Sequence, residues 1–302
     1  MNTVSLLLPD FLLILIGLLL YRLTNWEAAF WAGAEKLVYF VLFPALLFYS
    51  TARTPLHFET TGTMVAISSM TLLCAVALTW LGKPLLKRKS TPPMEYESGM
   101  QTAFRFNSYI ALAVASRLAG DRGAGLIALL IGFGVPLCNT AAVHSLVQKD
   151  SHLFKELAKN PLLLATASGL LFSLLGWTLP EVAGAVLSRM GNAAVALGLL
   201  LVGAGLRLAG MHQGRAISAY FILIKLMILP AIAYGMGRYA GLPLLQLQIL
   251  VLFCCLPTAS SAYILAARMG GNGPLVAFQI SAGTVVSALT IPFWLSLVHA
   301  GQ

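Results

Sequence analysis

The 302-residue chain is 59% hydrophobic and only 10% charged, a composition that water cannot keep dispersed, so a soluble fold is excluded and a membrane protein is indicated. Its 19 lysines and arginines exceed its 10 acids, giving a formal charge of +9. The cations fall in short gaps between apolar runs, which is the pattern of membrane orientation and not of nucleic-acid binding. At about 20 apolar residues per crossing, this length holds about ten spans and no sizeable soluble domain.

In chain order, apolar length and the punctuation of Gly, Pro and charge predict spans over 4–21, 33–51, 61–82, 98–118, 124–147, 161–178, 184–207, 215–239, 245–268 and 274–298. The first run has no basic lead-in and no small-residue cleavage site, so it is expected to be a retained span. The run Lys83 to Lys89, followed by Pro92 and Pro93, is the longest polar connection of the first half and reads as a topology determinant. With the N-terminus outside, inner gaps hold Arg22, Lys36, Lys83, Lys87, Arg88, Lys89, Lys149, Lys155, Lys159, Arg207, Arg215 and Arg268, against Arg53, Arg117, Arg122, Arg189 and Arg238 outside. That bias predicts a multi-pass protein of the cell inner membrane with both termini outside the cytoplasm.

Ten spans divide into fives, and an odd number per half forces the halves into opposite orientation. Punctuating residues recur at an offset of 151: Arg117 with Arg268, Gly120 with Gly271, Asp121 with Asn272 and Gly132 with Gly283. The expected organisation is a first five-helix repeat over 1–150 and a second, inverted repeat over 151–302. Such repeats typify secondary transporters, with sites where paired helices are interrupted near mid-membrane. In span nine, Pro257, Thr258, Ser260 and Ser261 interrupt an apolar run. The offset sets Asn107 of Phe104-Arg105-Phe106-Asn107-Ser108-Tyr109 against Thr258, with the two Cα atoms expected within about 10 Å. The substrate-binding candidates are therefore Arg105, Asn107, Ser108, Tyr109, Pro257, Thr258, Ser260 and Ser261.

These two stretches, with Phe43-Pro44-Ala45 in span two and Lys225 to Pro230 in span eight, resemble the auxin efflux carrier family, which includes bacterial organic-acid permeases and plant PIN auxin exporters. The resemblance covers essentially the whole chain. It implies a fold like that of bile-acid symporters: an all-α polytopic membrane protein of ten transmembrane helices in two inverted repeats, with broken helices four and nine crossing at the substrate site. It further implies a scaffold of spans one, two, six and seven, and a moving domain of spans three to five and eight to ten. Span four departs from the plant exporters in carrying Asn107 and no proline.

Arg105 lies about 12 Å along span four, where a guanidinium costs at least about 2.5 kcal/mol; substrate contact, pairing within the protein and snorkelling are the three readings of it. Lys225, with Pro230 behind it, is expected to bond to freed carbonyls. Asp10 and Glu35 are the only carboxylates expected near a span interior, so a carboxylate proton relay has weak support. His144 reads as a helix-end imidazole. The four cysteines lie in apolar runs without metal-ligand spacing and read as packing residues. Positive charge with amides and hydroxyls suits a small organic anion, moved by alternating access and exported down the membrane potential. The rival is a sodium- or proton-coupled symporter of the bile-acid type; a sensor lacks an output domain in this sequence, and an intramembrane enzyme lacks a nucleophile-base pair or HExxH spacing. No cofactor, metal or nucleic acid is expected. The partners are the organic anion and the lipid bilayer, with pairing of two copies left open.

Overall fold

The computed structural model describes residues 3–53, 58–86, 94–146, 161–206, 214–259, 261–268 and 270–300. These are mostly helical, with no strand among the described residues. In order they form α1 (Thr3–Leu23), α2 (Ala28–Leu37) running through a π turn at Val38–Leu42 into α3 (Phe43–Ala52), α4 (Phe58–Leu86), α5 (Glu95–Met100) with a 3-10 turn at Gln101–Ala103, and α6 (Ser108–Leu146). They continue as α7 (Pro161–Leu174), α8 (Glu181–Ala204), α9 (Arg215–Leu223) running through a second π turn at Ile224–Ile228 into α10 (Leu229–Tyr239), α11 (Leu244–Cys255), α12 (Ser261–Arg268) and α13 (Gly273–Ala300). Six stretches among the described residues are long and apolar enough to cross a membrane: Ala28–Ala52, Thr61–Leu86, Glu95–Leu146, Glu181–Ala204, Arg215–Tyr239 and Gly273–Ala300. The predicted Ser260 lies outside the described residues.

Proline explains both π turns. Pro44 and Pro230 each stand at the second position of the helix that follows a π turn. A proline ring inside a helix collides with the carbonyl four residues back and supplies no N–H to it; one extra residue in the preceding turn relieves the collision. Leu226 O, which lacks a donor at Pro230, accepts the indole N–H of Trp294 at 2.9 Å instead.

The long α6 bends where Ala119 (φ −150°, ψ 28°) and Gly120 (φ 54°, ψ −139°) leave helical geometry, a corner that falls between the predicted fourth and fifth spans. Only glycine takes the Gly120 conformation without strain.

By contact the chain forms two compact units, each drawing on both halves of the sequence. The first comprises residues 1–61, 108–132 and 152–205. Its α1 lies against α8 with backbones at close approach: a Cβ on Gly17 would strike Leu200 O, and one on Gly203 would strike Ile14 O. Small residues from both partners allow this, and between apolar helices in lipid such packing replaces the hydrophobic drive that water would supply. The contact units differ at one place from the grouping that the resemblance implies. Residues 108–132, from spans four and five, belong to this unit, because the start of α6 packs its Tyr109 ring on Phe43 and under Gly198.

The second unit comprises residues 62–107, 133–151 and 206–302. Every residue of α11 from Gln246 to Cys255 is buried, as befits a helix apolar on all sides, and α10 and α13 pack on it. Ala262 and Ala266 of α12 close against Val276 and Ile280 of α13. The helix α5 starts three residues earlier than predicted span four, and it buries Glu95 and Glu97, which the sequence reading leaves in a polar loop. Lys83 Nζ pairs with Glu97 Oε1 at 3.1 Å, which makes the burial of Glu97 tolerable.

The close approach of α1 and α8 sets an expected outcome. Gly17→Ile should lower stability by about 1–3 kcal/mol through overpacking, whereas Gly33→Ile, with nothing within 4 Å of its Cβ, should leave it unchanged. Thermal unfolding of the purified protein in detergent measures both.

Candidate functional site

Two interruptions of helix lie in the second unit. After the 3-10 turn the chain leaves helical geometry at Phe104 (φ −124°, ψ −22°) and resumes at Ser108. After α11 it becomes extended at Leu256 (φ −64°, ψ 142°), as the residue before a proline prefers, and helix resumes at Ser261.

Unwound backbone in an apolar interior must find partners for the groups that the helix no longer serves. The two interruptions serve each other. Asn107 donates its backbone N–H to Pro257 O at 2.8 Å, which puts the Asn107 and Thr258 Cα atoms within about 7 Å of each other. Thr258 Oγ1 donates to Thr102 O at 2.6 Å, a carbonyl that Phe106 N–H would take in a continuous helix. Phe104 O accepts the thiol of Cys138 at 3.3 Å. Gln101 Nε2 reaches Ala262 O, in the first turn of α12, at 3.2 Å. The rings of Phe106 and Phe253 stack with centroids 4.5 Å apart.

Arg105 is held within this network. Its Nη1 donates to Gln101 Oε1 at 3.1 Å and its Nη2 to Asn139 Oδ1 at 2.5 Å, and the side chain stays partly accessible. Both of these partners are neutral amides, which orient the guanidinium. Beside it, Thr102 Oγ1 donates to Gln279 Oε1 at 3.2 Å, and Gln279 Nε2 donates to Ser218 Oγ at 3.1 Å. The result is a buried polar core of amides, hydroxyls and one partly accessible cation around two unwound segments.

A family profile described as Membrane transport protein matches residues 4–295. The chain belongs to this family, that of the auxin efflux carrier-like permeases. It is similar to a Rhizobium meliloti (strain 1021) protein named "Putative malonate transporter", 24% identical with 98% of this chain and 96% of that one covered. It is equally similar to a Methanothermobacter thermautotrophicus protein named "Uncharacterized transporter", 24% identical with 97% and 98% covered. The permease family makes this a multi-pass membrane transporter and not an enzyme.

Against this permease framework, the predicted site residues divide. Arg105, Asn107, Pro257 and Thr258 come together in the second unit, with Asn107, Pro257 and Thr258 buried. Ser108 and Tyr109 belong by contact to the first unit, and Ser261 is exposed at the start of α12. Lys225 needs a correction: its Nζ is buried and bonds to no carbonyl among the described residues. The sequence reading missed Gln101, Asn139 and Gln279. Gln101 carried a signal, four residues before Arg105 on one helix face; Asn139 and Gln279 carried only their polarity within apolar runs.

The bond that ties the second interruption to the 3-10 turn can be tested. Thr258→Val keeps the shape but leaves Thr102 O without its donor, and should destabilise the protein by about 1–3 kcal/mol, while Thr258→Ser should retain most of the stability. Unfolding midpoints of the three proteins in one detergent give the comparison.

Proposed function

We propose that this permease is a secondary transporter that moves a small organic anion across the cytoplasmic membrane by alternating access, with the anion bound at the two helix interruptions. The observation that carries this reading is the Asn107–Pro257 backbone bond beside the amide-held guanidinium of Arg105. Unwound backbone at membrane depth is tolerated where it is buried in protein or lines a cavity, and a planar fork of N–H donors matches a carboxylate. In the same unit helix α12 begins directly after the second interruption, and helix N-termini carry partial positive charge. The malonate in one relative's name is a dicarboxylate, which places dicarboxylates among the candidate anions.

The ten-span inverted repeat belongs to the same proposal. It is supported by a positive-φ glycine after each arginine, Gly120 (φ 54°) after Arg117 and Gly270 (φ 71°) after Arg268, the latter one residue before the Gly271 that the offset sets against Gly120; Asn272 Oδ1 then caps α13 by accepting Leu275 N–H at 3.0 Å. With both termini outside, one negative charge leaving a cytoplasm at about −100 mV gains about 2.3 kcal/mol, so export needs no coupled ion. One observation favours the coupled alternative. In the first unit a cavity of about 400 Å³ is lined by Asp10, Ser50, Arg117, Asp121 and Asn192, and Asp10 receives Arg117 Nε on one oxygen at 2.7 Å while its other oxygen has no partner among the described residues. Flux into proteoliposomes, with sodium, pH gradient and potential varied separately, discriminates the two.

If Arg105 meets the anion, Arg105→Ala should lower carboxylate affinity by about 2–5 kcal/mol, roughly 30-fold and upward, and Arg105→Lys should recover only part because it loses the fork. Calorimetry on purified, folded variants reads this; equal affinities in all three proteins would remove Arg105 from the site. For orientation, a cysteine placed between 83 and 93, or Lys155→Cys, should be shielded from impermeant thiol reagents in intact cells, and Gln302→Cys should label. The opposite pattern reverses the topology.

A further inference from the structure

Asp10 of α1 is 2% exposed, and only one of its carboxylate oxygens is engaged: Oδ1 accepts Arg117 Nε at 2.7 Å, while Oδ2 has no partner among the described residues. A buried carboxylate oxygen left without a donor is costly. Asp10 lines the cavity of about 400 Å³ in the first unit, a volume within the range of small-molecule sites, so a ligand held there can supply the donor.

The walls indicate what kind of donor it is. Four helices of the unit contribute to them, with Asp10 from α1, Ser50 from α3, Arg117 and Asp121 from α6 and Asn192 from α8. Two carboxylates stand there against one guanidinium, because Arg53, which donates to Asp121 Oδ2 at 2.8 Å and to Tyr49 Oη, is not part of the wall. Walls of net negative charge favour a cation. Leu13, Leu46 and Val195 line the same cavity. A bare metal ion asks for oxygens on every side, and no three His, Cys, Asp or Glu side chains among the described residues are grouped to hold one. An ammonium on a short alkyl stem meets both kinds of wall. Its N–H groups donate to Asp10 Oδ2 and to neighbouring hydroxyl and amide oxygens, and its methylenes lie on the leucines and the valine.

We infer that this cavity is a binding site for a small primary ammonium, anchored on Asp10 Oδ2, and that the first unit carries it while both helix interruptions lie in the second. This rests on the reading of transport without a coupled ion, which leaves the cavity to another occupant. The headgroup of an ethanolamine lipid and a free amine share this chemistry. Either one ties α1, α3, α6 and α8 together when bound, and so stabilises the folded protein.

The test follows the unfolding midpoint of the full-length protein in detergent as propylammonium chloride, tetramethylammonium chloride or sodium chloride is added at equal ionic strength. Tetramethylammonium keeps the charge and has no N–H to donate. Propylammonium should raise the midpoint saturably, with half-saturation at a concentration at least about tenfold lower than either other salt requires. Folded Asp10→Asn should weaken that response about tenfold or more, and the wild-type comparison of the three salts decides by itself if the variant does not fold. Equal responses to the three salts, or none, overturn the inference and leave the uncoupled reading standing. A response to sodium alone overturns both, since it gives the cavity to the coupled alternative. A folded Asp10→Asn with the full propylammonium response overturns the role of Asp10. Nanodiscs with and without phosphatidylethanolamine separate the two sources. A lipid-dependent rise in midpoint that Asp10→Asn loses, and that propylammonium does not increase, assigns the site to the headgroup; a propylammonium rise in both membranes assigns it to a free amine.

Discussion

The backbone bond from Asn107 N–H to Pro257 O is the interaction on which the second unit turns. A chain that leaves helical geometry inside an apolar interior strands donors and acceptors, each worth several kcal/mol if it stays unpaired. Two such stretches can share the problem, each supplying what the other lacks. Pro257 has no N–H to give but has a carbonyl to offer; Asn107 has an N–H that no longer points at Ala103 O. Thr258 repeats the exchange in the opposite direction by donating to Thr102 O. With the backbone satisfied in this way, side chains such as Arg105 and Gln101 need only tether and orient.

This accounts for the interruption at Phe104–Asn107 without a proline. A helix can be broken by removing a donor, as at Pro257, or by outcompeting its carbonyls, and here Thr258 and Cys138 take the acceptors at Thr102 and Phe104. The first mechanism is written in the sequence of the broken segment itself. The second is written some 150 residues away for Thr258 and 34 for Cys138, so local reading could find the polar stretch but not the extent of its unwinding. The same limit applies to Glu97: a local window sees an acid before an apolar run, and only the three-dimensional pairing with Lys83 lets helix α5 carry it inside. By contrast the helical stretches themselves, the corner at Gly120 and the polarity of Arg105, Asn107 and Thr258 were legible, because apolar length, glycine and buried polarity are properties of neighbouring residues. Gln279 and Asn139 were not, since nothing in their own surroundings says which polar group they will meet.

The placement of charge carries the argument on to chemistry. Among the described ion pairs, Asp10 is matched by Arg117, Asp121 by Arg53 and Glu97 by Lys83, so each of these acids is neutralised by a base in its own unit. At the interruptions the pattern differs. The described partners of Arg105 include the amides of Gln101 and Asn139, and Lys225 Nζ is buried with no hydrogen-bond partner among the described residues. Had the interruptions evolved to hold a cation, the economical arrangement would place carboxylates and freed carbonyls there and keep the bases at the membrane surface. The freed carbonyls of Thr102, Phe104 and Pro257 are occupied by Thr258, Cys138 and Asn107. On the proposed reading the guanidinium of Arg105 brings donors and positive charge to these interruptions, which suit a ligand with acceptors and negative charge of its own.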